Sequence, residues 1–299
     1  MRGATEYLNG RFRTAVEFSD RAASIFRDRC VGATWEIDTA SWFAVTARFY
    51  MGQYRELDRQ LNLLVHDARV RGDFYASTLF STLLAQSAFL AADQPERAMR
   101  ELQRAREQWP GEGFHIQHYW LLLGEGFVDL YMGNAARAWE RVVASWPAFL
   151  ASQLPRLGMV NAQMLHLRGT CALGAATQAK TPSDAAALLR EADRAAGELL
   201  RSRIVPFRPT GLLLRAGIHS AHGERARAGE LLAKAAEGFE RAKMALYASV
   251  ARRRHAELAG RPDRDDRVAA EDECMVREGI RNPVRFARIL IPALETAGP

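Results

Sequence analysis

The chain has 299 residues, 48% hydrophobic and 25% charged, enough apolar side chain for a continuous core and too much for an intrinsically disordered protein. Its 41 basic and 35 acidic residues are interspersed, so the net charge of +6 reads as a salt-bridged helix surface and argues against a nucleic-acid partner. Three widely separated cysteines (Cys30, Cys171, Cys274) exclude a disulfide framework and fit a reducing, cytoplasmic setting, and the N-terminal residues lack the apolar stretch of a signal peptide.

Ala, Leu, Arg and Glu dominate, and all are good helix formers. No run of alternating β-branched residues predicts a strand. Six triplets share one spacing, in which a helix breaker is followed after five residues, and again after seven, by a residue that is small in most copies. They are Gly10/Ala15/Ala22, Gly52/Leu57/Leu64, Asp93/Ala98/Ala105, Gly133/Ala138/Ser145, Lys180/Ala185/Ala192 and Gly223/Ala228/Ala235. A period of roughly 40 residues is the signature of stacked helical hairpins. The seven-residue step puts both residues on one helix face, where a small side chain admits a neighbouring helix.

In chain order, a second helix of a hairpin is predicted over 11–30, with Phe12, Phe18 and Phe26 at helical spacing. Only nine residues precede Gly10. The N-terminal face is therefore expected to lack its covering helix and to expose these phenylalanines, as in a fragment of a longer protein. A helix over 35–51 carries two apolar stripes, one of them Trp35, Thr39, Trp42, Thr46 and Phe49; Gly52 ends it. A helix over 54–71 follows. The next, over 74–92, is free of charge and long enough to span a membrane, but its Ser, Thr and Gln content favours a buried inner helix and no membrane. Helices are expected at 95–109, 115–132 and 135–150, with Pro147 kinking or ending the last. Further helices are expected at 156–177, at 183–203 with Ser183 as its cap, and at 210–222, 225–243 and 245–259. A charged break at 261–267 divides a repeat array, 1–260, from C-terminal capping helices, 261–299. The last of these starts at Pro283 with Asn282 as its cap.

No phosphate-binding loop, dinucleotide fingerprint, zinc-protease helix, nucleophile elbow or kinase signature set is present. The chain is therefore expected to be no enzyme, to take no cofactor and to hold no metal. His115/His118 and His219/His222 share helix faces but lack further ligands, which favours packing or capping roles. The aromatic stretch 114–120 is the strongest candidate binding surface. Tyr119 is expected to face the core, and His115, His118 and Trp120 to face a concave groove that holds a protein or peptide partner. Arg252, Arg253 and Arg254 point in different directions on a helix and read as solvated surface.

The triplets resemble tetratricopeptide repeats with a lengthened period. More specifically, GATWEIDTA (32–40), FHIQHYW (114–120), LYMGN (130–134), AWE (138–140), LRG (167–169) and GIRNPVR (279–285) resemble the C-terminal helical region of large bacterial serine/threonine protein kinases that carry an ATPase module. The resemblance implies an all-α, tetratricopeptide-like right-handed superhelix of about six helical hairpins with upstream kinase and ATPase domains. It also implies a regulatory, protein–protein interaction role in signal transduction. No catalytic residue of the family has a counterpart here. The alternative expectation is a ligand-sensing solenoid of the kind found in signal-transducing ATPases or transcription regulators. An open groove with exposed aromatics marks the first reading; an apolar pocket with a few convergent polar groups marks the second.

Overall fold

The computed structural model describes residues 2–108, 113–259 and 262–292, and these are all-α, with no strand among them. In order, the helices are α1 (Arg2–Leu8), α2 (Phe12–Arg29), α3 (Thr34–Met51), α4 (Tyr54–Val70), α5 (Phe74–Ser81), α6 (Leu83–Ala91), α7 (Pro95–Gln108) and α8 (Ile116–Tyr131). They continue as α9 (Ala135–Ala151), α10 (Gly158–Ala176), α11 (Pro182–Leu200), α12 (Arg208–Ala221), α13 (Arg225–Arg241), α14 (Ala245–Leu258), α15 (Arg264–Arg277) and α16 (Pro283–Leu290). Short 3-10 turns, Leu154–Arg156 and Val205–Phe207, lead into α10 and α12. Trp109 and Arg261, at the edges of two expected segments, and the end of the chain from 293 lie outside the described residues.

The repeat spacing has a backbone cause. Gly10, Gly52, Asp93, Gly133 and Gly223 all take positive φ, between 54° and 82°. At each, the chain closes a double hydrogen-bonded turn: Gly52 N–H donates to Phe49 O and Gln53 N–H to Arg48 O, both at 3.1 Å. This motif ends one helix in a left-handed residue and reverses the chain within two or three residues. Lys180 breaks the pattern. The turn after α10 is wider, and Thr181, not Ser183, caps α11 by accepting from the Asp184 amide at 3.1 Å. Lys243, which the pattern does not mark, takes φ 60° instead and separates α13 from α14.

The five residues after the breaker are equally informative. Ala15, Leu57, Ala98, Ala138 and Ala228 are completely buried, whereas Ala185 is only half-buried. Ala98→Trp and Ala228→Trp should each lower stability by about 1–3 kcal/mol through overpacking, read as the midpoint shift in urea followed by helical circular dichroism. An unchanged midpoint for both would refute the packing register.

Helices alternate between inner and outer positions. Fifteen of the nineteen residues of α10 are buried, against six of seventeen in the outer α13. An inner helix that is covered on most sides reads apolar almost all round. The inner helices α6, α8, α10 and α12 pack in succession, and α3 packs on α14. The chain therefore returns on itself, bringing its first helices against the turn before α12 and against α14. The turn at Gly10 abuts Pro206 and Ile204, and Tyr50 of α3 lies 5.4 Å from the Phe207 ring and 6.3 Å from that of Tyr247.

Several expectations need correction. A helix does precede Gly10: α1, Arg2–Leu8, packs on α2 and α3, Phe12 is buried, and the Arg2 guanidinium sits 4.1 Å above the Phe18 ring. The 74–92 stretch is two helices that meet at 42°, broken at Thr82. No single helix among the described residues is long and apolar enough to cross a membrane; the bent pair passes on length and composition alone. Pro147 does not end α9, which continues to Ala151. Pro147 is exposed, so water can solvate the carbonyl its ring deprives of a partner.

Candidate functional site

The C-terminal segment is part of the core rather than a loose tail. The segment from Gly279 to Pro292, with α16 at its centre, packs against α8, α14 and α15. Phe286, Ala287, Ile289, Leu290 and Ile291 are buried, and Phe286 meets the Tyr54 ring edge-on at 5.3 Å. Polar contacts hold both ends of the segment. Arg281 N–H donates to Ala91 O at 2.7 Å, and Asp93 accepts from Tyr131 at 2.6 Å, from Asn282 and from Arg285. These contacts, with the Tyr131 hydroxyl nearest, hold the Asp93 carboxyl below its ordinary range.

Arg253 and Arg254 belong to this arrangement and are buried, contrary to the expectation of a solvated face. Arg253 pairs with Glu257 and with Asp272 of α15 at 2.6 Å. Arg254 pairs with Glu257 at 2.7 Å and donates to Ile291 O. The reason is that α15 and α16 fold back over α14, so three consecutive arginines meet carboxylates and a carbonyl on different sides. Arg252, half-exposed, pairs with Glu240 and Glu271.

His166 of α10 makes a third tie, from Nε2–H to Leu290 O at 3.1 Å. A carbonyl only accepts, so the proton sits on Nε2. Burial pulls the imidazole down from 6.5 to about 4. The unfolded chain takes up a proton near 6.5 and the folded chain only near 4, so stability is lost as pH falls through that window. Between pH 7 and 4.5 this group should cost on the order of 2–3 kcal/mol. His166→Gln should flatten that part of the stability curve; an identical slope in the variant would refute the assignment.

A second region has the character of a binding pocket. A cavity of about 320 Å³ opens between α1, α3, α5, α8 and α10. Its walls are Leu8, Trp35, Thr39, Trp42, Phe43, Tyr75, Leu79, Ile116, Trp120, Leu157, Met159 and Val160. Tyr7, Tyr119 and Gln163 also line it. These three converge: the Tyr119 hydroxyl donates to Gln163 Oε1, and Gln163 Nε2 donates to the hydroxyls of Tyr50 and, at 3.5 Å, of Tyr7. Burial raises all three phenols, which therefore stay protonated at neutral pH. The mouth is apolar and wet. Trp35 is 65% exposed, Tyr75 47%, and Leu8 and Leu157 are also exposed. A second cavity of about 560 Å³, between α1, α2 and α3, shares Trp35, Thr39 and Phe43 with the first and, unlike it, is bordered by charge, at Arg2, Arg21 and Glu36.

The residues expected to form a partner surface divide. Trp120 is buried and lines the cavity, its ring 5.5 Å from that of Trp42. His115 and His118 sit at the N-terminus of α8, where His115 N–H donates to His118 Nδ1 at 3.1 Å, a capping arrangement. Tyr119 faces inward as expected, but onto the Gln163 amide. Tyr7, Tyr75 and Gln163 are additions from the structure. Gln163 had no signal that set it apart from the neighbouring amide Asn161 at the start of α10; Tyr7 had none.

The second histidine pair was expected to pack or cap, not to hold a metal. His219 Nδ1 lies 2.6 Å from Glu224, and no group of three or more potential ligands occurs among the described residues. Elsewhere, Glu125 and Asp129 of α8 are buried carboxylates that tie three helices together. Arg106 of α7 meets Glu125 at 2.6 Å, and Arg141 of α9 meets Asp129 at 2.8 Å. Burial raises the Asp129 carboxyl despite Arg141 and Arg137 beside it.

Comparison with family models, curated proteins and solved structures gives no match to this chain.

Proposed function

We propose that this chain is a non-catalytic binding module, a tetratricopeptide-like right-handed superhelix that senses a small, mainly apolar ligand in the aromatic pocket at Trp42 and Trp120. The observation that carries this reading is the pocket's composition: apolar walls around a buried amide and two phenols, which suits oriented binding of one molecule.

Protein–protein interaction is the second reading and is compatible with the first. Exposed Trp35 and Tyr75 at the pocket mouth, with Phe74 of the same helix 84% exposed, are the residue types that anchor interfaces. In this reading a cytoplasmic signalling partner, such as the kinase and ATPase domains suggested by sequence resemblance, docks over the rim and responds to ligand.

A fragment screen on the full chain tests the site. Small apolar fragments should raise the melting temperature and quench tryptophan emission, and Val160→Trp, which fills the cavity, should abolish both effects. An absence of hits, or hits indifferent to Val160→Trp, would overturn the proposal.

A further inference from the structure

Resting on the reading of the aromatic pocket as a ligand site, we infer that its ligand is an uncharged aromatic molecule carrying one hydrogen-bond acceptor, held with that acceptor at the Tyr7 hydroxyl.

The charge follows from the lining. No Asp, Glu, Lys, Arg or His borders the cavity. A carboxylate or ammonium entering it would lose its hydration and meet no opposite charge, a penalty that aromatic walls cannot offset. The aromatic body follows from shape and size. Trp42 and Trp120 lie with ring centroids 5.5 Å apart and an interplanar angle of 44°, Trp42 meets Phe43 edge-on at 5.1 Å, and a space of about 320 Å³ holds a two-ring compound.

The acceptor follows from a count of protons at the polar end. The Gln163 carbonyl accepts from the Tyr119 hydroxyl, and the amide's two N–H groups are directed to the oxygens of Tyr50 and Tyr7. Tyr7 thus accepts, and its own O–H remains to be used. Among the described residues no hydrogen bond from that hydroxyl is formed. A buried phenol that keeps its proton and has no acceptor is costly, and a ligand carbonyl or ether would satisfy it. Tyr7 sits on α1, the shortest helix of the array at seven residues, so this bond would also fasten α1 to α10 through the ligand.

The test uses prodan, a neutral naphthyl ketone whose emission shifts to the blue in apolar surroundings, on the full chain. Prodan should bind with a stoichiometry of one and quench tryptophan emission. Two competitors then share a ring system and a carbonyl but differ in charge: 2-acetonaphthone should displace prodan at a concentration at least tenfold lower than 2-naphthoate. Tyr7→Phe should weaken prodan at least fivefold while leaving N-phenyl-1-naphthylamine, which lacks the carbonyl, unchanged. Equal displacement by the ketone and the carboxylate, or equal loss of both probes in Tyr7→Phe, overturns the assigned ligand class. If prodan binding is nevertheless lost in Val160→Trp, or in Leu79→Trp should that variant fail to fold, the site itself stands. If prodan fails to bind while fragments sensitive to Val160→Trp are found, the class alone falls. If neither prodan nor any such fragment binds, site and class fall together.

Discussion

Phe286→Ala should lower the stability of the fold by about 3–5 kcal/mol, the usual range for removing a fully buried phenylalanine. Its ring is 2% exposed and meets Tyr54, a residue of the outer helix α4 more than two hundred positions earlier. The loss should exceed what a terminal helix normally costs, because α16 packs at once on α8, α14 and α15 and, through Phe286, on Tyr54 of α4. Equilibrium urea denaturation followed by helical circular dichroism measures it. A midpoint lowered with little change in slope is the expected result. A loss below about 1 kcal/mol would mean that the segment merely rests on the surface.

Gly52→Ala should be far more damaging than Gly72→Ala, although both glycines end helices with positive φ. A left-handed residue other than glycine costs about 1–2 kcal/mol, and both variants carry that cost. At Gly72 an added Cβ meets nothing within 4 Å. At Gly52 it would lie 2.7 Å from the Leu246 Cβ and 2.9 Å from the Leu246 backbone nitrogen, at the start of α14. Backbone cannot step aside as a side-chain tip can, so a further 1–3 kcal/mol of overpacking is expected. Equal melting temperatures for the two variants would show that the turn and α14 do not touch in solution.

Local rules made most of the helices legible in sequence. Gly10, Gly52, Gly133 and Gly223 punctuate the chain because the turn closing each of those helices needs a left-handed residue, a requirement of a few consecutive peptide groups. Asn282 is readable for the same reason: its side chain caps α16 by accepting from Arg285 N–H. The aromatic stretch around Trp120 was also legible as a candidate site, although only Trp120 of the three expected residues borders the cavity. What sequence hid was set by distant partners. Arg253 and Arg254 look like surface until α15 and the Ile291 carbonyl close over them. The polar end of the pocket joins Tyr7 to Gln163 across 156 positions, and no periodicity links such residues. Thr82 breaks the 74–92 helix without a glycine or proline to announce it.

The meeting of α3 with α14, and of the Gly10 turn with Pro206, changes how this array must come apart. In a linear stack each unit feels only its neighbours, so ends fray and the middle outlasts them. Here α3 and α14 share rings and a backbone contact, so loosening of one strips support from the other. Amide hydrogen exchange should therefore show α3 and α14 opening together, with protection comparable to that of α10. The same contacts lengthen the loops that must close before they are rewarded, so refolding should be slower than for an open helical stack of this length.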